Sequence, residues 1–195
     1  MGEMSENMFL EYAIGNNYLS LDTKLPLLYA INDEFLIREF YEAFLTREYN
    51  GKIILGDRDY CNIHTFDVSL AILPKHLNFY PHMSILQNYK LHSDLKKQTD
   101  EDYITQEAIK AGVAQYLYRT PKQLEFAQRR EAAIFRAFLM KPELVIVEDI
   151  LDIIEKTSIS VINMIIKMID SYQTPVIYLN SSCNTIITTN SIIIA

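Results

Sequence analysis

The chain has 195 residues, of which 49% are hydrophobic and 22% charged, and its formal net charge is -7. This size and apolar content predict one domain over residues 1–195, and the acidic balance argues against nonspecific nucleic-acid binding, which needs a basic surface. No apolar run approaches the roughly 20 residues that span a bilayer, so no direct membrane insertion is expected. The two cysteines, Cys61 and Cys183, indicate neither a disulfide framework nor a metal site.

The predicted elements change from strands to helices along the chain. Strands are expected within residues 8–26, a stretch to which the sequence assigns no role. The polar segment 93–102 predicts an exposed connection, followed by a helix over 101–119. Apolar residues at three-and-four spacing predict a further helix over 129–140, which should end before Pro142. A last helix is expected over 158–171 and a last buried strand over 175–179.

Residues Leu144–Val147 form a run of four apolar side chains after Pro142. Such runs are typical of strands that are buried on both faces of a parallel sheet. The polar pair Glu148 and Asp149 follows directly, at the carboxyl end of the strand, where open α/β sheets bind their ligands. The sequence therefore predicts an α/β fold with a ligand-binding edge near Glu148.

Four motifs in this part of the chain resemble those of ATP-binding cassette (ABC) ATPases. Residues 124–128 read LEFAQ in place of the family's LSGGQ signature, and residues 134–138 read IFRAF in place of IARAL. Lys141-Pro142 matches the family's Lys-Pro turn, and LVIV running into Glu148 matches its Walker B strand. All four motifs align without a gap, so the resemblance has one fixed register.

The resemblance extends towards the N-terminus. Residues 50–55 resemble the SGEIL strand of the cassette, and residues 73–87 resemble its Q-loop segment, with Asn88 at the position of a common asparagine. The resemblance implies a P-loop NTPase-like ABC ATPase core with a mainly parallel sheet and an inserted helical subdomain at about 76–140.

The same register places the phosphate-binding loop, G-x-x-x-x-G-K-S/T in the family, on residues 29–37. This segment contains no glycine, lysine, serine or threonine. Phe35 stands at the lysine position, and Asp33 and Glu34 add negative charge where a triphosphate would approach. The degenerate loop positions are Tyr29, Asn32, Glu34, Phe35 and Leu36.

The other nucleotide-binding motifs are altered as well. In the signature, Glu125 replaces serine, and Phe126 and Ala127 replace the two glycines, whereas Gln128 is kept. At the two Walker B positions the family has aspartate and then glutamate, whereas this chain has Glu148 and then Asp149. Two carboxylates are compatible with a weak metal site or with a solvated acidic strand end. Three further degenerate positions are Lys75 in the Q-loop, Glu155 in the D-loop and Ser181 at the switch histidine.

These departures predict a catalytically inactive, ABC ATPase-like structural or regulatory subunit of a membrane transporter, with no catalytic residue, bound cofactor or metal. The resemblance implies two partners, a transmembrane permease and a second ABC subunit, and a cytoplasmic location at the inner face of the cell membrane. Permease docking is expected at Lys75, Tyr80, Pro81 and His82. A fainter similarity to the cassettes of MCE-type lipid transporters suggests lipid as the cargo.

Two alternatives remain open from the sequence. One is a weakly active or ATP-binding cassette that uses Glu148, Asp149 and the cation of Lys75. The other is a free-standing adaptor that keeps the cassette shape without a permease. Binding of Mg-ATP distinguishes the first alternative from the inactive subunit, and copurification with a polytopic membrane protein distinguishes the second.

Overall fold

The elements of the chain were assigned in a computed structural model. The described residues are 9–14, 16–22, 28–31, 34–55, 58–60, 62, 70–94, 100–148, 157–179 and 192–194. The strands are β1 (Phe9–Ile14), β2 (Asn17–Asp22), β3 (Leu28–Ile31), β4 (Gly51–Leu55), β5 (Arg58–Asp59), β6 (Leu70–Leu73), β7 (Leu144–Glu148), β8 (Val176–Leu179) and β9 (Ile192–Ile194). The α-helices are α1 (Glu34–Thr46), α2 (Ile85–Asp94), α3 (Glu101–Ala111), α4 (Phe126–Leu139) and α5 (Thr157–Tyr172), with short 3-10 helices at Ala114–Tyr116 and Pro121–Gln123.

The described strands form two sheets. Five of them make a parallel sheet in the order β6-β7-β8-β3-β9, and four make an antiparallel sheet in the order β2-β1-β4-β5. Helices lie between β3 and β6, between β6 and β7, and between β7 and β8, because parallel strands need crossover connections. The predicted α/β class with a mainly parallel sheet is confirmed.

The neighbouring strands β7 and β8 of the parallel sheet are buried on both faces. In β7, Val145 and Val147 pack against the core formed by helices α2 to α5, whereas Leu144 and Ile146 pack against the core shared with α1 and the antiparallel sheet. The neighbouring strand β8 alternates in the same way. The continuous apolar run of the sequence arises because each of its side chains belongs to one of these two cores.

Helix α1 fills the space between the two sheets with aromatic side chains. Phe40 lies between Tyr12 of β1 and Phe44, with ring centroids 5.0 and 4.6 Å away. Phe44 also contacts Tyr60, whose hydroxyl donates a hydrogen bond to the Phe44 carbonyl oxygen at 2.9 Å. This aromatic row belongs to the same core cluster as Ile146 and Ile177 of the parallel sheet.

Two helix boundaries differ from the sequence prediction. The helix expected over 101–119 ends at Ala111, because Gly112 takes a left-handed conformation with φ of 85° and caps the helix. The helix expected from 129 begins earlier, at Phe126, because Glu125 provides its N-terminal cap. The single-domain extent over 1–195 and the subdomain limits at about 76–140 stay predictions.

None of the described helices combines the length and apolar content that a bilayer-spanning segment needs. The longest is α5, with 16 residues and a buried face that includes Val161, Ile165 and Met168. This face packs against α4 and the parallel sheet, as the helical period of its isoleucines predicts.

Gly51 begins β4 at a point where β1 leaves no room for a side chain. A Cβ atom at Gly51 would lie 2.2 Å from the backbone oxygen of Ala13. We therefore expect Gly51→Ala to destabilise the fold by about 1–3 kcal/mol, because backbone and not a flexible side chain must move. Urea unfolding of this variant and of Lys52→Ala, its exposed neighbour, tests the effect. An unchanged free energy of unfolding for Gly51→Ala would contradict the strand register described here.

Candidate functional site

The carboxyl edge of the parallel sheet is the expected ligand edge, and the connection from β3 to α1 lies on it. β3 ends at Ile31 and α1 begins at Glu34, so only two residues join them. Asn32 lies outside the described residues, as does the side chain of Tyr29. A phosphate-binding loop needs several residues between strand and helix, so that backbone N-H groups can surround the phosphate oxygens.

The first turn of α1 offers a triphosphate an apolar and acidic surface. The Phe35 side chain is 76% exposed, Glu34 is exposed and Leu36 is partly buried. The positive end of the helix dipole at this turn already has the Glu34 carboxylate beside it. Glu34 and Phe35 thus place a carboxylate and an aromatic ring where a phosphate-binding loop has a lysine and glycines, which does not suit a Mg-triphosphate.

The carboxylate of Glu148, at the Walker B position, is bound by other parts of the chain. The backbone N-H of Lys75 donates to a Glu148 oxygen at 2.9 Å. Burial, followed by the charge and the hydrogen bond of Glu148, raises the pKa of the Tyr41 hydroxyl on α1. Glu148 thus connects α1, the turn after β6 and the end of β7. Asp149, its predicted companion, lies outside the described residues.

The residues of the signature position form a capping box at the start of α4. Glu125 is the N-cap, with φ of -64° and ψ of 165°, and its side chain accepts a hydrogen bond from the backbone of Gln128. In return the Gln128 side-chain oxygen accepts a bond from the Glu125 N-H at 3.1 Å. The N-H groups of Glu125 and Gln128 are therefore satisfied within the chain.

Phe126 and Ala127 occupy the positions of the signature glycines. The Phe126 ring lies beneath the Arg130 guanidinium, whose carbon is 3.1 Å from the ring centroid, and 40% of Phe126 is exposed. This cation-π contact holds the ring in place at the helix start. A side chain fixed there prevents the close backbone approach that glycine would permit.

The segment between β6 and α2, residues 74–84, carries the predicted docking residues. Lys75, Tyr80, Pro81 and His82 are all exposed. The rings of Tyr80 and His82 meet edge to face, with their centroids 6.4 Å apart. The structure thus brings three of the four predicted docking residues together at one exposed turn, with Lys75 nearer to Glu148.

Two buried or half-buried polar side chains shape this exposed segment. The Asn88 amide accepts a hydrogen bond from the Tyr80 N-H at 2.8 Å and donates to the carbonyl oxygens of Tyr80 and Ser84. Arg136 of α4 donates to the carbonyl oxygens of Leu77 and Asn78, two residues with positive φ. The turn is therefore fixed from beneath by α2 and α4.

Sequence reasoning missed Tyr41 and Arg136. Arg136 belongs to the IFRAF motif, but its partners Leu77 and Asn78 are 59 and 58 residues away, so no local pattern reveals the contact. Tyr41 is one of several tyrosines on amphipathic segments and has no distinguishing neighbour in sequence. Ser181 and Glu155, two predicted degenerate positions, lie outside the described residues.

Sequence comparison finds related importer subunits for about half of the chain, although no protein-family model matches it. The osmoprotective compounds uptake ATP-binding protein GgtA of Synechocystis sp. is 31% identical over 103 residues, which are 51% of this chain and 28% of the relative. An sn-glycerol-3-phosphate import ATP-binding protein, UgpC 3 of Agrobacterium fabrum, is 35% identical over 95 residues, 47% of this chain and 27% of the relative. The chain thus matches little more than a quarter of these relatives' length.

Structural comparison covers nearly the whole chain. A bacterial Atm1-family ABC exporter with ATP bound has a TM-score of 0.72 and 12% identity, over 96% of this chain and 37% of the exporter chain. The protein cbiO1 of Clostridium perfringens, part of the ABC transporter complex cbiONQ, has a TM-score of 0.71 and 12% identity, over 91% of this chain and 80% of cbiO1. At this identity the likeness establishes the fold.

Replacement of the Tyr41 hydroxyl tests the connection through Glu148. We expect Tyr41→Phe to lower the free energy of unfolding by about 1 kcal/mol at neutral pH, because Glu148 loses a donor. Folding raises the pKa of Tyr41 above its ordinary value of 10.0. The protonated hydroxyl therefore stabilises the folded state fully below about pH 10, and this stabilisation is lost as the pH rises further. Urea unfolding at several pH values measures this difference.

Tyr118→Phe is the matched control, because Tyr118 is 76% exposed. Its unfolding free energy at neutral pH should equal that of the unsubstituted protein. A Tyr41→Phe variant that is as stable as the unsubstituted protein at neutral pH would contradict the contact with Glu148.

Three kinds of observation indicate the same family resemblance. They are the sequence motifs in one register, the parallel sheet with its helices, and the comparisons with known proteins. The predicted resemblance to the ABC family and the predicted fold are confirmed. The chain has the ATP-binding cassette fold, and about half of its sequence is similar to the ATP-binding proteins of uptake and import systems.

Proposed function

We propose that this chain is a catalytically inactive cassette subunit with a structural or regulatory role in an ABC transporter. The observation that carries the proposal is the connection from β3 to α1, which has two residues and leads directly to Glu34 and Phe35. Active cassettes hold phosphate at this point with glycine N-H groups and a lysine. An acidic and aromatic helix start repels the charge of a triphosphate and gives it no donor loop.

The remaining groups support the same interpretation. Glu125 caps its own helix, and Glu148 accepts hydrogen bonds from within the chain. In both cases a position associated with nucleotide binding contributes to the stability of the fold instead. Phosphate-binding groups are replaced both in the loop and in the signature. This double replacement argues against a chain that completes a working ATP site together with an active partner.

An import system is the transporter class that the relatives favour, because their names specify uptake or import. A permease is then the expected partner, and the chain would be held by it at the cytoplasmic face of the membrane. The exposed turn with Tyr80, Pro81 and His82 is the proposed docking surface. Lipid as cargo stays a prediction, since the two relatives are named for osmoprotective compounds and sn-glycerol-3-phosphate.

Titration with Mg-ATP tests the loss of nucleotide binding. We expect isothermal titration calorimetry of the purified chain to give no saturable heat, because the loop lacks the donors and cation that neutralise the phosphates. An active cassette titrated in the same buffer serves as the positive control. Micromolar binding that Lys75→Ala abolishes would contradict the proposal and favour the weakly ATP-binding alternative.

Copurification tests the transporter role. A tagged chain recovered from detergent-solubilised native membranes should bring down a polytopic membrane protein. The double variant Tyr80→Ala, His82→Ala should recover several-fold less, because the exposed rings of the docking turn are lost. Leu45→Ala, a substitution of a 60% exposed residue on α1, is the control that should recover as much as the unsubstituted chain. Absence of any polytopic partner would favour the free-standing adaptor.

A further inference from the structure

Arg136 of α4 binds a distant turn of the backbone instead of a carboxylate. Its guanidinium donates hydrogen bonds to the carbonyl oxygens of Leu77 and Asn78 and lies over the Phe79 ring, 4.4 Å from the ring centroid. Within the described part of the chain it forms no ion pair. Burial lowers the pKa of the guanidinium, because it removes water from the charge. The carbonyl oxygens and the aromatic ring of the turn take the place of that water.

The turn that Arg136 binds has an unfavourable backbone conformation. Leu77 has a φ of 58° and Asn78 a φ of 42°, although neither residue is glycine. Positive φ is rare for side chains such as leucine, and asparagine tolerates it better. The turn is also tight, since the Asn78 N-H donates to the His76 carbonyl oxygen at 2.7 Å. Contacts from the rest of the chain must therefore maintain this conformation.

The docking turn (residues 77–84) contains the exposed residues of the proposed permease contact. Arg136 holds its first part, and Asn88 holds its second part by accepting a bond from the Tyr80 N-H at 2.8 Å. Phe79 is partly buried against the core of helices α2 to α5, whereas the next residue, Tyr80, is 51% exposed. The backbone at the two ends of the turn therefore sets the direction of the exposed side chains between them.

We propose that Arg136 is a positioning residue, which holds the docking turn in its binding conformation before a partner is present. A loop that is ordered in advance loses less conformational freedom on binding, so a partner binds it more tightly than a mobile loop of the same sequence. Arg136 acts through the turn and not by contact with the partner. The inference rests on the proposed function, since it specifies how the proposed permease contact reaches its affinity.

The planar guanidinium suits this role better than an ammonium group. Two of its nitrogen atoms donate to two successive carbonyl oxygens, while its face lies on the Phe79 ring. A lysine at position 136 keeps the charge but has one nitrogen with which to donate. Arg136→Lys should therefore hold the docking turn less well than arginine does and better than Arg136→Met.

Hydrogen exchange of individual amides tests the inference on the protein alone. The Tyr80 N-H, which donates to Asn88, reports on the docking turn, and the N-H groups of the buried strand β7 report on the whole fold. We expect Arg136→Met to lower the protection of the Tyr80 N-H by about tenfold, because hydrogen bonds from a charged donor are lost. Arg136→Lys should lower it less, and protection in β7 should fall by a smaller factor in both variants.

Arg38→Met is the matched control for this measurement. It also removes a guanidinium, which lies on α1, is 79% exposed and is bound to Glu42, and it should leave the protection of the Tyr80 N-H unchanged. Unchanged protection of that N-H in Arg136→Met overturns the inference, as does an equal loss throughout β7. If Arg136→Met does not fold, Arg136→Lys takes its place under the same criteria.

Copurification from detergent-solubilised native membranes tests the consequence for docking. Tagged Arg136→Met should recover several-fold less of the polytopic membrane protein than the unsubstituted chain, whereas Arg38→Met should recover as much. Full recovery by an Arg136→Met variant whose Tyr80 N-H has lost its protection overturns the inference and leaves the proposed function intact. Recovery of no polytopic protein by the unsubstituted chain overturns the proposed docking itself.

Discussion

Burial of the central strands β7 and β8 on both faces is the constraint on which the rest of the structure depends. Each apolar residue of these strands contributes to one of two cores, so polar chemistry has no place along their faces. Polar groups are therefore confined to the strand ends and the helix starts, where Glu148, Glu34 and Glu125 lie. The two cores depend on apolar residues of the strands and helices. Residues at the carboxyl edge can therefore be substituted without loss of the fold.

Those residues have not simply been lost, because several now stabilise the fold. Glu148 accepts a hydrogen bond from Lys75 and contacts Tyr41, Glu125 and Gln128 cap α4, and Phe126 lies beneath Arg130. The contacts of Glu148 join separate segments, whereas the other two interactions lie within the start of α4. Residues at this edge thus contribute contacts to the fold itself, which suits the proposed structural role.

Sequence reasoning predicted the parts of the fold that depend on local periodicity. The apolar run before Glu148, the amphipathic α4 and the isoleucine-rich α5 each follow from spacing alone. It failed where one residue overrides the pattern, as Gly112 does when it ends α3 early. It also missed Tyr41 and Arg136, because their partners are distant in sequence and the geometry of the fold alone brings them together.

A thermal unfolding measurement with and without millimolar Mg-ATP tests the central claim most directly. A ligand at 100 times its dissociation constant stabilises the folded state by about 2.7 kcal/mol. For a chain of 195 residues this corresponds to a rise in Tm of roughly 5–10 °C. The account predicts no rise, because Glu34 and Phe35 stand where a phosphate-binding loop would place a lysine and its donors, and a rise of that size would contradict it.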